Sequence, residues 1–449
     1  MTTMTTTLNT FSLFDFCKKQ ADKVQIYGEE TLDKDGNVIP FIEQASIITH
    51  YLQLKDSRIK IPYATKAEDI LNLWYEFVKE DKIKKNSAIA DLSDSYSSAQ
   101  AFLFSDLFRA PFRAPNNPKF TFIDLFAGIG GFRIAFQNLG GECVFSSEWD
   151  EQAKKTYYAN YGDVPFGDIT KESTKSYIPG AFDILCAGFP CQAFSLAGHR
   201  LGFKDETRGT LFFEIEAILR KHQPKAFFLE NVKGLAIHDK GRTLKTILEH
   251  LDDAGYDVVP PQILNAMDYG VPQHRERIYI IGFRKDLHID ISNFHYPEPI
   301  TTGDLRPKFR DVMEEKAPSV KYYLSTVYVD TLKRHRARHE AAGHGFGYEI
   351  IDIEGVANAI VVGGMGRERN LVIDKRLKDF TPITNIKGEV NREGIRRMTP
   401  REWARLQGFP DNFKIVVADA SAYKQFGNSV AIPAIQATAE RELKILGLI

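Results

Sequence analysis

The chain has 449 residues, 43% of them hydrophobic and 26% charged, with a formal net charge of −1. That length allows two or three domains around a large core, and the composition excludes a disordered, collagenous or disulfide-stapled chain. No run of 18 apolar residues occurs, so no membrane span is expected, and a neutral total neither demands nor forbids a local basic groove. Four cysteines, Cys17, Cys143, Cys186 and Cys191, form no CxxC pair, and the opening "MTTMTTTLNTFSLF" lacks a basic n-region. A reducing cytoplasmic setting without a zinc cluster or other metal is therefore expected.

Residues 1–119 mix helical patterns such as "AEDILNLWYEFVKE" with polar stretches, carry no chemical motif, and end in the Pro-rich connector "RAPFRAPNNP". Residues 120–290 alternate strand and helix signals. "FTFIDLF", "ECVFSSE", "FDILCA" and "AFFLE" read as strands. Between the last two, Leu211, Phe212, Ile215, Ile218 and Leu219 recur at helical spacing, and Leu244, Ile247, Leu248 and Leu251 repeat the pattern before Gly255. Strands alternating with helices predict an α/β fold with a doubly wound parallel sheet.

Residues 291–395 break that rhythm and are rich in Gly, His and Arg. Over 301–400 there are 18 Lys+Arg against 14 Asp+Glu, with Arg334, Arg336 and Arg338 clustered and Arg367 near Arg369; a solvated face is the plain reading of such runs. Residues 396–449 return to helical patterning.

The loop "DLFAGIGGF" follows the first strand. Gly128 and Gly130 suit close backbone approach by a ligand, but Arg133 stands where a dinucleotide fingerprint has its third glycine, which disfavours a pyrophosphate site. A tight turn with no ligand is the alternative. Glu148, 20 residues after Gly128, ends the second strand and can bind ribose hydroxyls; Trp149 beside it offers a flat face to a purine. Asp168 and Ile169, in "FGDIT", add an acid and an apolar wall. The ordered set points to a nucleoside cofactor with no phosphate requirement, a description that S-adenosylmethionine fits.

Cys191, in "GFPCQAFSLAGHR", follows the carboxyl end of the third strand, where ligands sit in open parallel sheets. Its position on a glycine-rich turn after Pro190 reads as an accessible nucleophile, whereas Cys186 in "FDILCA" reads as core. Glu230 ends "AFFLE" and faces the same crevice. Among apolar neighbours its pKa can rise so that it carries a proton; alone it would read as a helix-capping acid. In "PQHRERIYIIGF" strand alternation places Arg275 and Arg277 on one face, able to hold a planar base, a phosphate or Glu230, or else to lace an exposed edge with charge.

In order, the blocks "FIDLFAGIGGF", "SEWD", "GDIT", "GFPCQAFS", "LENVKG", "PQHRERIY", "RRMTPREWARLQGFP" and "YKQFGNSV" resemble the DNA cytosine-5 methyltransferase family of bacterial restriction–modification type. The resemblance spans roughly residues 120–449 and leaves out the first 119. It implies an S-adenosylmethionine-dependent methyltransferase fold: a doubly wound, mostly parallel sheet over 120–290, a smaller mixed target-recognition domain over 291–395, a C-terminal segment (396–449) returning to the catalytic domain, and an N-terminal helical extension of unknown role.

The resemblance also implies site roles. Cys191 attacks cytosine C6, Glu230 holds N3 and the exocyclic amine, Arg275 contacts the base carbonyl and Arg277 orders Glu230. Phe126 and Trp149 wall the cofactor, Glu148 binds its ribose, Asp168 and Ile169 its adenine, and Pro190 and Leu211 close the pocket. Asn428, Ser429 and Val430 return to the cofactor beside Gly128 and Gly130. Residues 192–209 are expected as a mobile loop closing over a flipped-out base, with Gln192 and Ser195 near the opened duplex. "GHGFGYE" and "GGMGRERNLVID" are candidate recognition loops, the latter carrying Arg367 and Arg369 toward DNA.

The implied reaction is methylation of cytosine C5 within a short duplex DNA sequence, by a monomer. A cognate restriction endonuclease would act on the same site without direct contact. An RNA cytosine-5 methyltransferase on the same scaffold is the alternative. The intact Cys191, Glu230, Arg275 and Arg277 set speaks against a catalytically dead nucleic-acid binder, and Arg133 against a nicotinamide oxidoreductase.

Overall fold

The computed structural model describes residues 13–14, 32–33, 36–85, 104, 107, 109–190, 211–344, 347–363, 367–383 and 388–449. Two helices come first, α1 (Phe41–Leu54) and α2 (Ala64–Lys85). The alternating unit follows: β1 (Phe120–Leu125), α3 (Gly131–Asn138), β2 (Gly141–Ser147), α4 (Glu151–Tyr161), β3 (Ile184–Gly188), α5 (Leu211–His222), β4 (Ala226–Val232) and α6 (Arg242–Asp253). Then come β5 (Tyr256–Val258), β6 (Gln262–Asn265), β7 (Gln273–His274) and β8 (Glu276–Arg284).

The main sheet has the order β2-β1-β3-β4-β8-β5, with β6 also paired to β8. β2, β1, β3 and β4 are mutually parallel; β8 runs antiparallel to β4, β5 and β6. β1 and β2 are buried along their whole length, as parallel strands covered on both faces must be. Period-two alternation sorts the side chains. Phe120, Phe122, Cys186, Phe228 and Ile281 join the core on one face, which α3 and the C-terminal helix cover. Ile123, Leu125, Phe227, Leu229 and Ile280 face the other, where they meet α5, α6 and the N-terminal helices. The extension is thus one layer of the sandwich, sharing its core with the sheet.

Over residues 291–395 the structure is irregular: short 3-10 turns, α7 (Thr326–Ala341), β9 (Ala357–Asn358) and β10 (Leu371–Ile373). β10 pairs antiparallel with β11 (Ile395–Arg397), so one strand pair crosses the 395/396 division drawn from sequence pattern. A small core of Leu324, Val329, Leu332, Leu371 and Ile395 holds this unit together. β7 pairs with β9 and ties it to the catalytic unit.

The chain ends in α8 (Pro400–Leu406), α9 (Asp419–Asn428) and α10 (Ile432–Ile445). Thr399 caps α8 in a capping box with Glu402. α10 packs along α3, returning the C-terminus to the first block of the sheet. Among the described residues no helix is long and apolar enough to cross a membrane, and no group of His, Cys, Asp or Glu is placed to hold a metal ion.

Candidate active site

β1 and β3 flank the point where strand order reverses, and the loops at their carboxyl ends open a crevice there. The glycine loop after β1 is tightly wound. Phe126 (φ 56°), Gly128 (φ 56°) and Gly130 (φ 81°) all adopt left-handed backbone. Around Gly128 the space is open: an added Cβ would meet nothing nearer than the Phe126 carbonyl oxygen at 4.0 Å. At Gly130 it would collide with the Tyr161 ring, whose hydroxyl donates to the Gly130 carbonyl at 2.7 Å.

Glu148 accepts the Gly128 amide at 2.8 Å through one oxygen and the Asp150 amide at 2.7 Å through the other. Burial pushes its carboxyl pKa up, against these two donors. Lone pairs remain on both oxygens for further hydroxyl donors. Trp149 is 80% exposed, an indole at the mouth of the crevice with no packing role to explain it. Ile169 is buried and Asp168 half-buried; an Asp168 oxygen is taken by the Thr170 amide and hydroxyl.

Gly131 faces the "GNSV" segment. A Cβ there would lie 2.7 Å from Val430 Cγ2 and 3.0 Å from Ser429 Oγ, so only glycine lets the start of α3 meet residues 429–430. Asn428 is exposed. Leu211 is half-buried at the start of α5 and Pro190 is exposed after β3. The structure therefore gathers Phe126, Gly128, Gly130, Glu148, Trp149, Ser429 and Val430 around one crevice edge.

Glu230 ends the apolar run of β4 at 7% exposure, opposite Gly188 of β3. Its Oε1 is 3.1 Å from Arg277 Nε of β8. Burial raises the Glu230 pKa, and the positive Arg277 and Arg275 oppose the rise. A Cβ added at Gly188 would lie 3.3 Å from Phe132 and 3.6 Å from both Glu230 Oε2 and Val430 Cγ1, so the carboxyl and the residue 430 segment flank the same glycine.

Arg275 departs from the sequence expectation. It falls in the break between β7 and β8, so strand alternation does not carry it to the face of Arg277. Its guanidinium is buried and donates to the backbone oxygens of Ile360 (2.9 Å), Ser429 (2.6 Å) and Gly427 (3.3 Å). Burial and the neighbouring Arg277 lower its pKa to about 9. The Arg275 guanidinium thus ties together two segments of main chain, one at residue 360 and one at residues 427–429.

Cys191, Gln192 and Ser195 lie outside the described residues, as does the expected mobile loop. Cys143 and Cys186 are buried thiols; burial pushes Cys143 up to about 12 and Cys186 well above its ordinary value. Neither is a nucleophile at neutral pH. Arg367 and Arg369 are exposed, Arg367 over the Tyr423 ring at 5.4 Å and Arg369 paired with Glu349 at 3.3 Å.

Three amides without a role in the sequence reading prove structural. Asn231 Nδ2 donates to the Phe189 carbonyl at 2.9 Å and so holds the end of the β3 segment against β4. Gln273 bonds the Leu406 carbonyl and accepts the Ile360 amide. Gln407 donates to Phe426 and Ser429 oxygens. Their only sequence signal is a polar amide inside an otherwise apolar block.

A doubly wound sheet with a glycine loop, an acid directly after β2 and a buried acid near the end of β4 defines a methyltransferase-type α/β enzyme. The model of the C-5 cytosine-specific DNA methylase family matches residues 120–444, and the chain belongs to that family. The type II methyltransferase M.HpaII of Haemophilus parainfluenzae is 69% identical over 341 residues, covering 75% of this chain and 94% of the relative. M1.ScrFI of Lactococcus lactis subsp. cremoris is 46% identical over 75% of this chain and 81% of its own. The solved Dnmt2 methyltransferase of S. pombe shares the fold, with a TM-score of 0.55 and 18% identity over 73% of this chain and 99% of that one. The protein is a DNA cytosine-5 methyltransferase of the bacterial restriction–modification type.

Proposed function

We propose that the protein uses S-adenosylmethionine to methylate C5 of a cytosine flipped out of a short duplex DNA sequence, through a covalent bond between Cys191 and C6. The observation that carries this reading is the Glu230–Arg277 pair: a buried acid, held by a guanidinium, at the crevice edge beside Gly188 and three residues of chain from Cys191.

The donor site fits the residues present. Glu148 retains lone pairs for ribose hydroxyls, Trp149 offers an exposed face to adenine, Asp168 and Ile169 border it, and the open space at Gly128 admits a ligand against the backbone. Phe126, Pro190, Leu211 and Asn428 would complete the pocket. When bound, the sulfonium supplies an electrophilic methyl group.

The chain's own residues do the rest. The Cys191 thiolate adds to C6, and the C5=C6 electron pair becomes nucleophilic at C5. A protonated Glu230 donates to N3 as charge develops on the ring, and its other oxygen accepts from the exocyclic amine. Arg277 fixes the carboxyl in that orientation. After methyl transfer a base takes the C5 proton, the electron pair returns to the ring and the thiolate leaves. Gln192 and Ser195 would lie near the opened duplex, with Arg367 and Arg369 near its backbone or grooves.

The enzyme is read as a cytoplasmic monomer whose cognate endonuclease shares its site without contact. The decisive test is Cys191→Ala, expected to abolish turnover while cofactor and DNA affinities persist. Duplex DNA carrying 5-fluorocytosine, which cannot lose a C5 proton, is expected to trap a covalent adduct with wild type and none with the variant. An active Cys191→Ala enzyme, or no adduct with wild type, refutes the thiol route. Bisulfite sequencing of DNA from an expressing host reports the target sequence.

A further inference from the structure

The family's catalytic unit begins at residue 120, yet the chain before it is built into the cofactor side of the sheet. Helix α1 presents a row of buried polar side chains, Ser46, Thr49 and His50, to the segment 163–166. Ser46 Oγ donates to the Pro165 carbonyl at 3.0 Å, and Thr49 Oγ1 accepts the Val164 amide at 3.0 Å. His50 packs its ring on Phe166, with centroids 4.6 Å apart, and its Nε2 lies 3.3 Å from Ser146 Oγ and 3.4 Å from an Asp163 oxygen. Tyr63 meets Phe166 edge-on from the next turn of the extension.

Phe166 is the rung that joins the two outer donor-site loops. Its amide donates to the Ser146 carbonyl at 2.8 Å, and its carbonyl accepts the Glu148 amide at 2.9 Å. Asp168 and Ile169 follow two and three residues later. A second line runs from α1 to the glycine loop. Gln53 donates to the Tyr161 carbonyl at 2.8 Å and accepts from Arg133 at 3.2 Å; Arg133 pairs with Asp163, and the Tyr161 hydroxyl holds the Gly130 carbonyl. These bonds are directional, buried at Ser46, Thr49 and Tyr161 and half-buried at Gln53, so they fix backbone position where apolar packing alone would tolerate sliding.

We propose that the N-terminal extension is a positioning module for the adenosine half of the methyl-donor site, with Thr49, His50 and Gln53 holding the Glu148, Asp168 and Gly130 loops from behind. The proposal rests on the donor-site reading above and assigns these residues no contact with substrate or cofactor. Losing the directional bonds lets the loops relax before binding, so the cost of ordering them falls on cofactor affinity. Chemistry in the closed complex and duplex affinity are left nearly as they were.

The test uses the full chain with Thr49→Val plus Gln53→Met, Thr49→Ser as the conservative control, and His50→Gln as an independent variant. S-adenosylhomocysteine affinity is measured by calorimetry, together with KM for S-adenosylmethionine, kcat at saturating cofactor, and duplex DNA affinity. The double variant and His50→Gln are expected to weaken cofactor binding and raise that KM about fivefold or more. Their kcat and DNA affinity should stay within about twofold of wild type, and Thr49→Ser within about twofold on every readout. Unchanged cofactor affinity overturns the proposal, as does an equal loss of cofactor affinity, kcat and DNA affinity. Wild type that binds no S-adenosylhomocysteine refutes the donor-site reading instead.

Discussion

Glu230 and Arg277 meet across the β4–β8 ladder, two residues off register, with Arg277 Nε 3.1 Å from the Glu230 carboxyl. Burial raises the acid's pKa and the guanidinium restrains that rise. If the protonated acid is the working form, activity falls as pH climbs through its pKa. Arg277→Gln removes the restraint, so the alkaline limb of kcat should move to higher pH even as kcat itself drops. Rates at saturating DNA and cofactor between about pH 6 and 10 check this; a limb that stays put contradicts the role.

Glu230→Gln keeps the shape and removes the titrating proton. Its amide N–H can still donate to N3, so the loss in kcat should fall short of the about 100- to 1,000-fold expected when the donor is removed altogether, as in Glu230→Ala. Cofactor affinity, set on the far side of Gly188, should change little. Single-turnover methyl transfer measured beside cofactor calorimetry separates the two.

Gly130→Ala asks a left-handed residue to carry a Cβ that meets the Tyr161 ring. Backbone strain and overpacking together should destabilise the fold by about 2–4 kcal/mol. Urea unfolding of the variant provides the number, and an unchanged midpoint refutes the packing account.

Arg275 and Gln407 share the Ser429 carbonyl, and through Ile360 and Phe426 they knot the segment at residue 360 to residues 426–429. A lysine at 275 is a point donor and cannot reach three carbonyls. Arg275→Lys and Gln407→Met should therefore be non-additive in a double-mutant cycle, with a coupling of about 0.5–3 kcal/mol in stability. Additive effects would mean the two side chains act independently.

Glu442 of α10 is fully buried, and neither carboxyl oxygen has a hydrogen-bond partner among the described residues. Burial pushes its pKa well above the ordinary value. The folded state then binds a proton that the unfolded state releases, so wild-type stability is fully present below the unfolded carboxyl pKa and is lost as pH rises above it. Glu442→Leu should stabilise by about 1–3 kcal/mol near pH 8 and by less near pH 5. Urea titrations at the two pH values give the sign directly.

The sheet and its crevice were legible in the chain because apolar runs, helical spacing and glycine turns are local properties. "FTFIDLF", "FDILCA" and "AFFLE" lie on β1, β3 and β4, while Glu148 falls one residue past β2 and Glu230 two residues before the end of β4. The main-chain bonds of Arg275 were not legible, because alternation assumes an unbroken strand and residue 275 falls in a one-residue break between β7 and β8. β10 lies within the strand-like "NLVID", but its partner β11 escaped pattern reading because three residues are too few for period two to register.

By itself the sequence determined the catalytic class, since the order and chemistry of its blocks require no contact map. Only the tertiary structure decided what surrounds them: that residues before 120 form a layer of the same core, that Phe166 bonds the backbone of Ser146 and Glu148, and that Arg275 bonds the main chain at Ile360 and Ser429. Those outcomes depend on buried polar atoms finding partners far along the chain, and a lone polar residue in a sequence does not reveal which distant partner will satisfy it.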